Sequence, residues 1–467
     1  MSYKLTIFFT DFLVYILIIT TIIFFLWART KTYWHEAWLK VIHKPSAVIT
    51  LTILFFYLFA AFLDSIHFQT ALPYSDNHKV YYSGEIKSVF DMVIRPVGQR
   101  VEKTYSAPFA THLYNQDVIQ LSNGKFAQTY IPLVNAGVDL DKLHRSKTQD
   151  ILIRSLLGLL EATITLLIIV ISIYFWLSCQ RKLASMLNRQ SLDASFRWHD
   201  KMPFFFTLAI ILSCLFVMHE LSKEYYIFGT DKVGQDVFYV CLKSIRTGVL
   251  IGTLTTLVML PFAILLGMMA GYFGGIVDDI IQYIYTTLSS IPAVLLIAAS
   301  ILSIQIFIAN HPELFRNLAL QADARLLALC IILGITSWTS LCRILRAETL
   351  KLREIDYIHA AKALGTKNFS ILTRHILPNV MHIVIITVVL DFSGLVLAEA
   401  VLSYVGIGVD PTMMSWGNMI NSARLELARE PVVWWPLLSA FIFMFILVLS
   451  ANVFSNRLQD AFDPRLK

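Results

Sequence analysis

The stretch Arg353-Glu-Ile-Asp-Tyr-Ile-His-Ala-Ala-Lys-Ala-Leu-Gly-Thr-Lys-Asn-Phe-Ser-Ile-Leu-Thr-Arg-His-Ile-Leu-Pro-Asn379 lies between two apolar runs, and it breaks into two short helices. Ile355, Ile358 and Leu364 share one apolar stripe, with the small Ala360 and Ala361 beside it. Gly365 stands where a helix C-terminus favours a left-handed residue. A second helix starts near Asn368, buries Phe369, Leu372 and Ile376 on one face, and is expected to stop at Pro378. Seven basic residues (Arg343, Arg346, Lys351, Arg353, Lys362, Lys367, Arg374) face three acidic ones (Glu348, Glu354, Asp356) here. A loop that merely sets topology by positive charge explains that excess. It does not explain the Ala-Ala, Gly and Leu-Pro spacing inside two amphipathic turns.

Outward from this stretch, the whole chain of 467 residues is 57% hydrophobic and 15% charged, with a mean hydropathy of +0.65. Soluble domains carry about 25% charged residues, so most of this chain faces lipid. The net charge of +6 is gathered in short loops, where it reports membrane orientation and not nucleic acid. Cys179, Cys214, Cys241, Cys330 and Cys342 lie in or beside apolar runs. No pair has metal-ligand spacing and no disulfide framework is expected; they read as small packing residues.

A helix needs about 20 apolar residues to cross a hydrocarbon core. Nine runs qualify: Ile7 to Trp27, Ser46 to Leu63, Ser155 to Cys179, Pro203 to Met218, Val249 to Tyr272, Ile280 to Phe307, Leu326 to Leu345, Met381 to Ile407 and Val433 to Phe454. The first could be a signal peptide, but it lacks a small-residue cleavage site and basic residues follow it, so it is kept as a span. The sixth could be a span plus an outer helix. Residues 28–46 and 179–202 each carry a net charge of +3 and belong inside with the hairpin. Alternation then puts the N-terminus outside and the C-terminus in the cytoplasm. Residues 64–150 lie outside, with nine Lys/Arg against nine Asp/Glu, and read as a small folded insert without a catalytic motif.

Within the hairpin, His359-Ala360-Ala361, Gly365 and Leu377-Pro378 resemble the EAA loop of binding-protein-dependent ABC importers. Arg353, Asp356-Tyr357 and Arg374-His375-Ile376-Leu377-Pro378-Asn379 resemble the oligopeptide/dipeptide permease branch, C-type subunit. The family's leading Glu is His359 here. Three further blocks follow the same order. Gly229-Thr230-Asp231, Gly234 and Asp236 look like GTD-x-x-G-R-D, with Gln235 in place of Arg. Ala270 to Gly275 resembles the turn between the first two core helices, and Ser415-Trp416-Gly417 closes an outer stretch that begins at Glu399.

The resemblance implies an all-α polytopic membrane protein with the ABC type I importer transmembrane-domain fold, extra N-terminal spans and an extracytoplasmic insert. Residues 1–63 would be N-terminal helices, 64–150 the insert, 151–227 an added helix pair and 228–467 the permease core with its docking loop 343–379. It also implies a bacterial inner-membrane location, a second permease forming a heterodimer, and two separate ATPases that bind ATP and Mg. A solute-binding protein is expected to meet the outer loops around Gly229 and Trp416 and to deliver peptides or a similar small solute. Pro292, Asp391 and Glu399 are candidates for the pathway or a gate. Asp391 sits 10 residues into its span, near mid-bilayer, where an ionisable group faces protein or water; a contact to another span and a pathway-lining role both stand open.

No G-x-x-x-x-G-K-[S/T] loop, H-E-x-x-H, nucleophile elbow or His/Cys metal cluster occurs in the sequence, so ATP hydrolysis, metal and cofactor chemistry are not expected in this chain. The competing reading is a proton-coupled secondary transporter using Asp391 and Glu399, which needs no docking hairpin.

Overall fold

Backbone polar groups in hydrocarbon are satisfied only within a helix or a closed barrel, and the apolar runs take the first solution. The computed structural model describes residues 3–28, 38–71, 81–94, 100–120, 126–137, 146–186, 198–313, 315 and 317–462. Its helices are α1 (Phe9–Ala28), α2 (Pro45–Asp64), α3 (Val89–Val93), α4 (Lys147–Met186), α5 (Trp198–Ser222), α6 (Val237–Phe273), α7 (Gly275–Ser290), α8 (Ala293–Asn310) and α9 (Leu318–Arg353). After these come α10 (Asp356–Ala363), α11 (Asn368–Ile371), a π-turn at Leu372–Ile376, α12 (Leu377–Val405), α13 (Trp416–Glu426) and α14 (Trp435–Phe462). Among the described residues, eight helices are long and apolar enough to span a membrane, and Phe9–Ile23 of α1 is a shorter apolar stretch. The chain is a multi-pass membrane protein. Basic residues of the two short loops that fall in 29–37 and 187–197 lie outside the described residues, as do Pro96, Gly98 and Gly124 of the insert.

The sixth apolar run is not one span. Pro292 follows Ile291, whose backbone is extended, because a residue before proline is driven out of the helical region. The extra helix expected on the outside is instead the first half, α7, and it packs at the end carrying the hairpin.

At the opposite end the insert forms sheets. Strand β1 (Tyr3–Thr6) pairs antiparallel with β2 (His67–Ala71), which pairs with β3 (Tyr82–Ser88). A separate hairpin joins β4 (His112–Gln120) to β5 (Phe126–Pro132). The residues before α1 therefore share one sheet with the insert.

The spine of the core is α6 against α9. Gly267 and Gly271, four residues apart, let the backbones close: a Cβ on Gly267 would lie 2.9 Å from the Cys342 carbonyl oxygen, and one on Gly271 2.7 Å from that of Arg346. Small residues at this spacing are how spans approach when lipid offers no hydrophobic drive. Outside this spine, α12 packs on α14 and α6, α2 packs on α6 and α14, and α4 pairs with α5.

A buried charge cluster fixes α1 to this spine. Arg246 of α6 donates to Asp11 Oδ1 at 2.8 Å, and Asp11 Oδ2 holds His67 Nδ1 at 2.8 Å. Asp323 of α9 accepts both the backbone N–H and the hydroxyl of Thr10. No spacing in the sequence joins these residues; the one local signal is Asp11, an acid inside the run Ile7 to Trp27, which persists only with partners.

Candidate functional site

The hairpin begins where α9 ends. Helix α10 closes in a Schellman arrangement: Thr366 N–H donates to the Ala361 carbonyl at 3.1 Å and Gly365 N–H to that of Lys362 at 3.0 Å. Gly365 has φ +73°, which a glycine adopts without strain. Inward, Ile358, Ala361, Ile371, Leu372 and Ile376 are buried against Leu345 and Tyr272.

Three expectations for the faces fail. Ile355 is exposed, Leu364 is 86% exposed and Phe369 75% exposed. The inward face of α10 is set by Ile358 and Ala361, so Leu364, three residues past Ala361 and beyond the last helical turn, is carried outward. On the second helix Ile371, not Phe369, fills the inward position. Ala360 also faces out.

Pro378 does not end the second helix. Asn368–Val405 runs on as one 38-residue segment. A proline ring clashes with the carbonyl four residues back and offers no N–H. The π-turn over Leu372–Ile376 widens the helix there, with Leu377 N–H donating to the Leu372 carbonyl, and the proline is accommodated in the next turn.

The polar residues of the hairpin are largely at its surface. His359 Nε2 lies 3.7 Å from Glu354 Oε2, and Arg353 Nε donates to Glu354 Oε1 at 3.0 Å; hydrogen bonding from Arg353 lowers the Glu354 carboxyl below its ordinary range. Asn379 Nδ2 donates to the Tyr357 hydroxyl at 2.9 Å and to the His375 carbonyl at 2.7 Å, stitching α10 to the π-turn. Asp356 opens α10, where a carboxylate suits the helix N-terminus. Nearby, Arg346 clasps Asp278 of α7 with both nitrogens, Nη2 to Oδ2 at 2.6 Å, and that hydrogen bonding lowers the Asp278 carboxyl.

At the end opposite the hairpin the family-like motif is built but covered. Asp231 Oδ1 accepts from Val233 and Gln235 N–H at 2.9 and 2.8 Å, and Asp236 caps α6 through Phe238 N–H at 2.8 Å. Burial pushes the Asp236 carboxyl up to about 7. Ser415 caps α13 through Asn418 N–H at 3.0 Å. Trp416 is 1% exposed, and its Nε1 donates to the Cys241 carbonyl at 3.1 Å.

The insert lies directly on this motif. Glu102 N–H donates to the Gly234 carbonyl at 2.9 Å, and Thr230 N–H donates to the Ser106 carbonyl at 3.1 Å. A Cβ on Gly234 or Gly229 would overlap the Glu102 or Ser106 carbonyl. Gly229 and Trp416 are themselves buried, and the loops around them turn Lys232, Val233 and Pro411 outward. A cavity of about 460 Å³ opens there between Asp231, Gln235, Met413, Asn418 and Tyr105 of the insert.

The three pathway candidates do not converge. Glu399 is 1% exposed, accepts from Ser403 Oγ at 2.8 Å, and sits where a Cβ on Gly417 would come within 2.7 Å; it belongs with the Ser415–Gly417 motif. Asp391 is half-buried, with no hydrogen bond or ion pair to the described residues. Pro292 is exposed at the break between α7 and α8.

Comparison with known proteins matches residues 263–467 to the family described as binding-protein-dependent transport system inner membrane component. The oligopeptide transport system permease protein of Bacillus subtilis (strain 168) is 30% identical over 246 residues, 53% of this chain and 73% of the relative. The dipeptide transport system permease protein of the same organism is 29% identical over 240 residues, 51% of this chain and 69% of the relative. The glutathione transport system permease protein of Pectobacterium atrosepticum is 30% identical over 240 residues, 51% of this chain and 72% of the relative.

Proposed function

This chain belongs to the binding-protein-dependent transport system inner membrane components, and from that premise we propose that it is one permease subunit of an ATP-driven importer of peptides or a similar small solute. The observation that carries the reading is the hairpin. It is a shaped, internally packed element at one end of the bundle, continuous with two spans, and it turns Ile355, Tyr357, Leu364 and Phe369 out to solvent. Four large apolar side chains on so small an element support a docking role for it. The partners it suits are two ATPases supplying the energy, with ATP and Mg held by them. A second permease completes the pathway, and an extracytoplasmic solute-binding protein meets the insert-covered outer face. The hairpin then lies in the cytoplasm and the insert outside. Closure of the ATPases would shift the hairpin as a rigid body and with it the attached spans. A carrier driven by protons through Asp391 and Glu399 has no use for such a hairpin.

The test is purification in mild detergent from the native host, comparing wild type with Phe369→Glu and Leu364→Glu. Both positions are exposed, so the chain should fold and insert as before, and the ATPases should co-purify with wild type alone. Equal recovery of ATPases with both charged variants, or a wild type that retains none, would refute the reading.

A further inference from the structure

The hairpin is covalently part of α9 at one side and of α12 at the other. Helix α6 has no such link, since its chain turns away at Gly274 into α7. Yet α6 forms the spine with α9, and its outer half supports the outer motif: Gly248 lies under Trp416 and Gly252 under Phe392 of α12. Beyond this α6–α9 packing, α6 also meets the hairpin directly, at its last turn. One residue there touches the end of α9, α10 and α11.

We infer that Tyr272 is the positioning residue through which displacement of the docking hairpin is passed to α6. This rests on the importer reading above. Tyr272 is buried, in the last turn of α6. Its hydroxyl donates to Asn368 Oδ1 at 2.9 Å, at the start of α11. The Lys362 ammonium of α10 stands 4.8 Å from its ring centroid. Arg353 Nη1, at the end of α9, comes within 3.5 Å of the Gly271 and Tyr272 carbonyl oxygens. The close crossing at Gly271 brings the tyrosine into this position, between all three pieces. A hairpin pushed by a partner therefore pulls on α6 through a hydrogen bond, a cation–π contact and a guanidinium clasp, all converging on one residue.

The experiment uses the complex purified with its own ATPases, reconstituted with its binding protein in liposomes, with radiolabelled trialanine as probe. Uptake and ATP hydrolysis are read in the same vesicles. Tyr272→Phe keeps the ring under Lys362 and loses the hydroxyl; uptake per ATP should fall about fivefold, the worth of one neutral hydrogen bond. Tyr272→Leu loses the ring as well and should fall about tenfold or more. Both variants should still co-purify with the ATPases. Asn368→Leu combined with Tyr272→Phe should be no worse than either alone, because both remove the same bond.

Unchanged uptake per ATP in Tyr272→Leu, or losses that add in the double variant, would overturn the inference. So would loss of the ATPases from Tyr272→Phe, which would make the tyrosine a prop for hairpin shape alone. A wild type without bound ATPases fails on a different readout and refutes the importer reading instead.

Discussion

Two glycine-to-alanine changes in neighbouring spans should move stability in opposite directions. At Gly271 the new methyl would lie 2.6 Å from Thr349 Cβ and 2.7 Å from the Arg346 carbonyl oxygen, where carbons settle at roughly 3.5–4.0 Å. Thr349 is fully buried and cannot swing away, so α6 and α9 must part by about 1 Å at a cost of roughly 1–3 kcal/mol. Gaining alanine in a helix returns about 0.5–1 kcal/mol, leaving a net loss of the order of 1–2 kcal/mol. At Gly394 of α12 a Cβ meets nothing within 4 Å, and the helix gain of about 0.5–1 kcal/mol stands alone. Thermal unfolding of the purified chain in mild detergent, followed by tryptophan fluorescence, should lower the midpoint for Gly271→Ala and leave it equal or higher for Gly394→Ala. Equal midpoints for the two variants would show that the α6–α9 crossing is not held by backbone contact at Gly271. Assembled with its partners, the chain adds information: Gly394 lies among the exposed α12 positions Leu390, Leu397, Val401 and Tyr404, so an alanine that becomes harmful only in the complex marks that face as buried there.

Asp236 gives a pH test. Its carboxyl is raised to about 7 by burial, so its contribution is full below the unfolded value near 4 and is lost as pH rises through about 7; Asp236→Asn should lie nearest wild type at about pH 4 and gain on it steadily up to pH 8, and a difference that does not change with pH would contradict this. Arg246→Met takes the guanidinium from Asp11, which is 0% exposed and left with His67 beside the buried Asp323, and should cost about 3–5 kcal/mol. Adding Asp11→Asn should recover part of the lost midpoint, and no recovery would argue against pairing across the cluster.

The spans and the hairpin were legible because their causes are local. Apolar runs of sufficient length, a glycine at a helix end and small residues at helical spacing each act within a few residues of themselves. What the sequence hid was set by contacts far apart in the chain. Pro378 reads as a stop, and becomes an interior residue only because a π-turn forms ahead of it. Phe369 and Ile371 are both apolar and near each other, and only the packing of Tyr272 and Leu345 decides which turns in. Trp416 and Gly229 read as outer-surface residues because nothing local shows that Glu102 and Ser106 of the insert lie over these loops. Asp11, His67, Arg246 and Asp323 come from four segments, and no spacing announces that they meet.

The continuous helix from Asn368 to Val405 has a mechanical consequence. At 1.5 Å per residue its 38 residues make a shaft of about 57 Å. It leans on α6 where Phe392 meets Gly252, a fulcrum set about 36 Å from the hairpin end and about 20 Å from the outer end. Relative to the part of α6 around Gly252, a sideways stroke at the hairpin would reach the Val405 end reversed in direction and roughly halved in size. Such gearing trades distance for force. The inner stroke must be about twice the outer one, and the outer contacts around Ser403 and Gly417 would be prised apart with about twice the push delivered below.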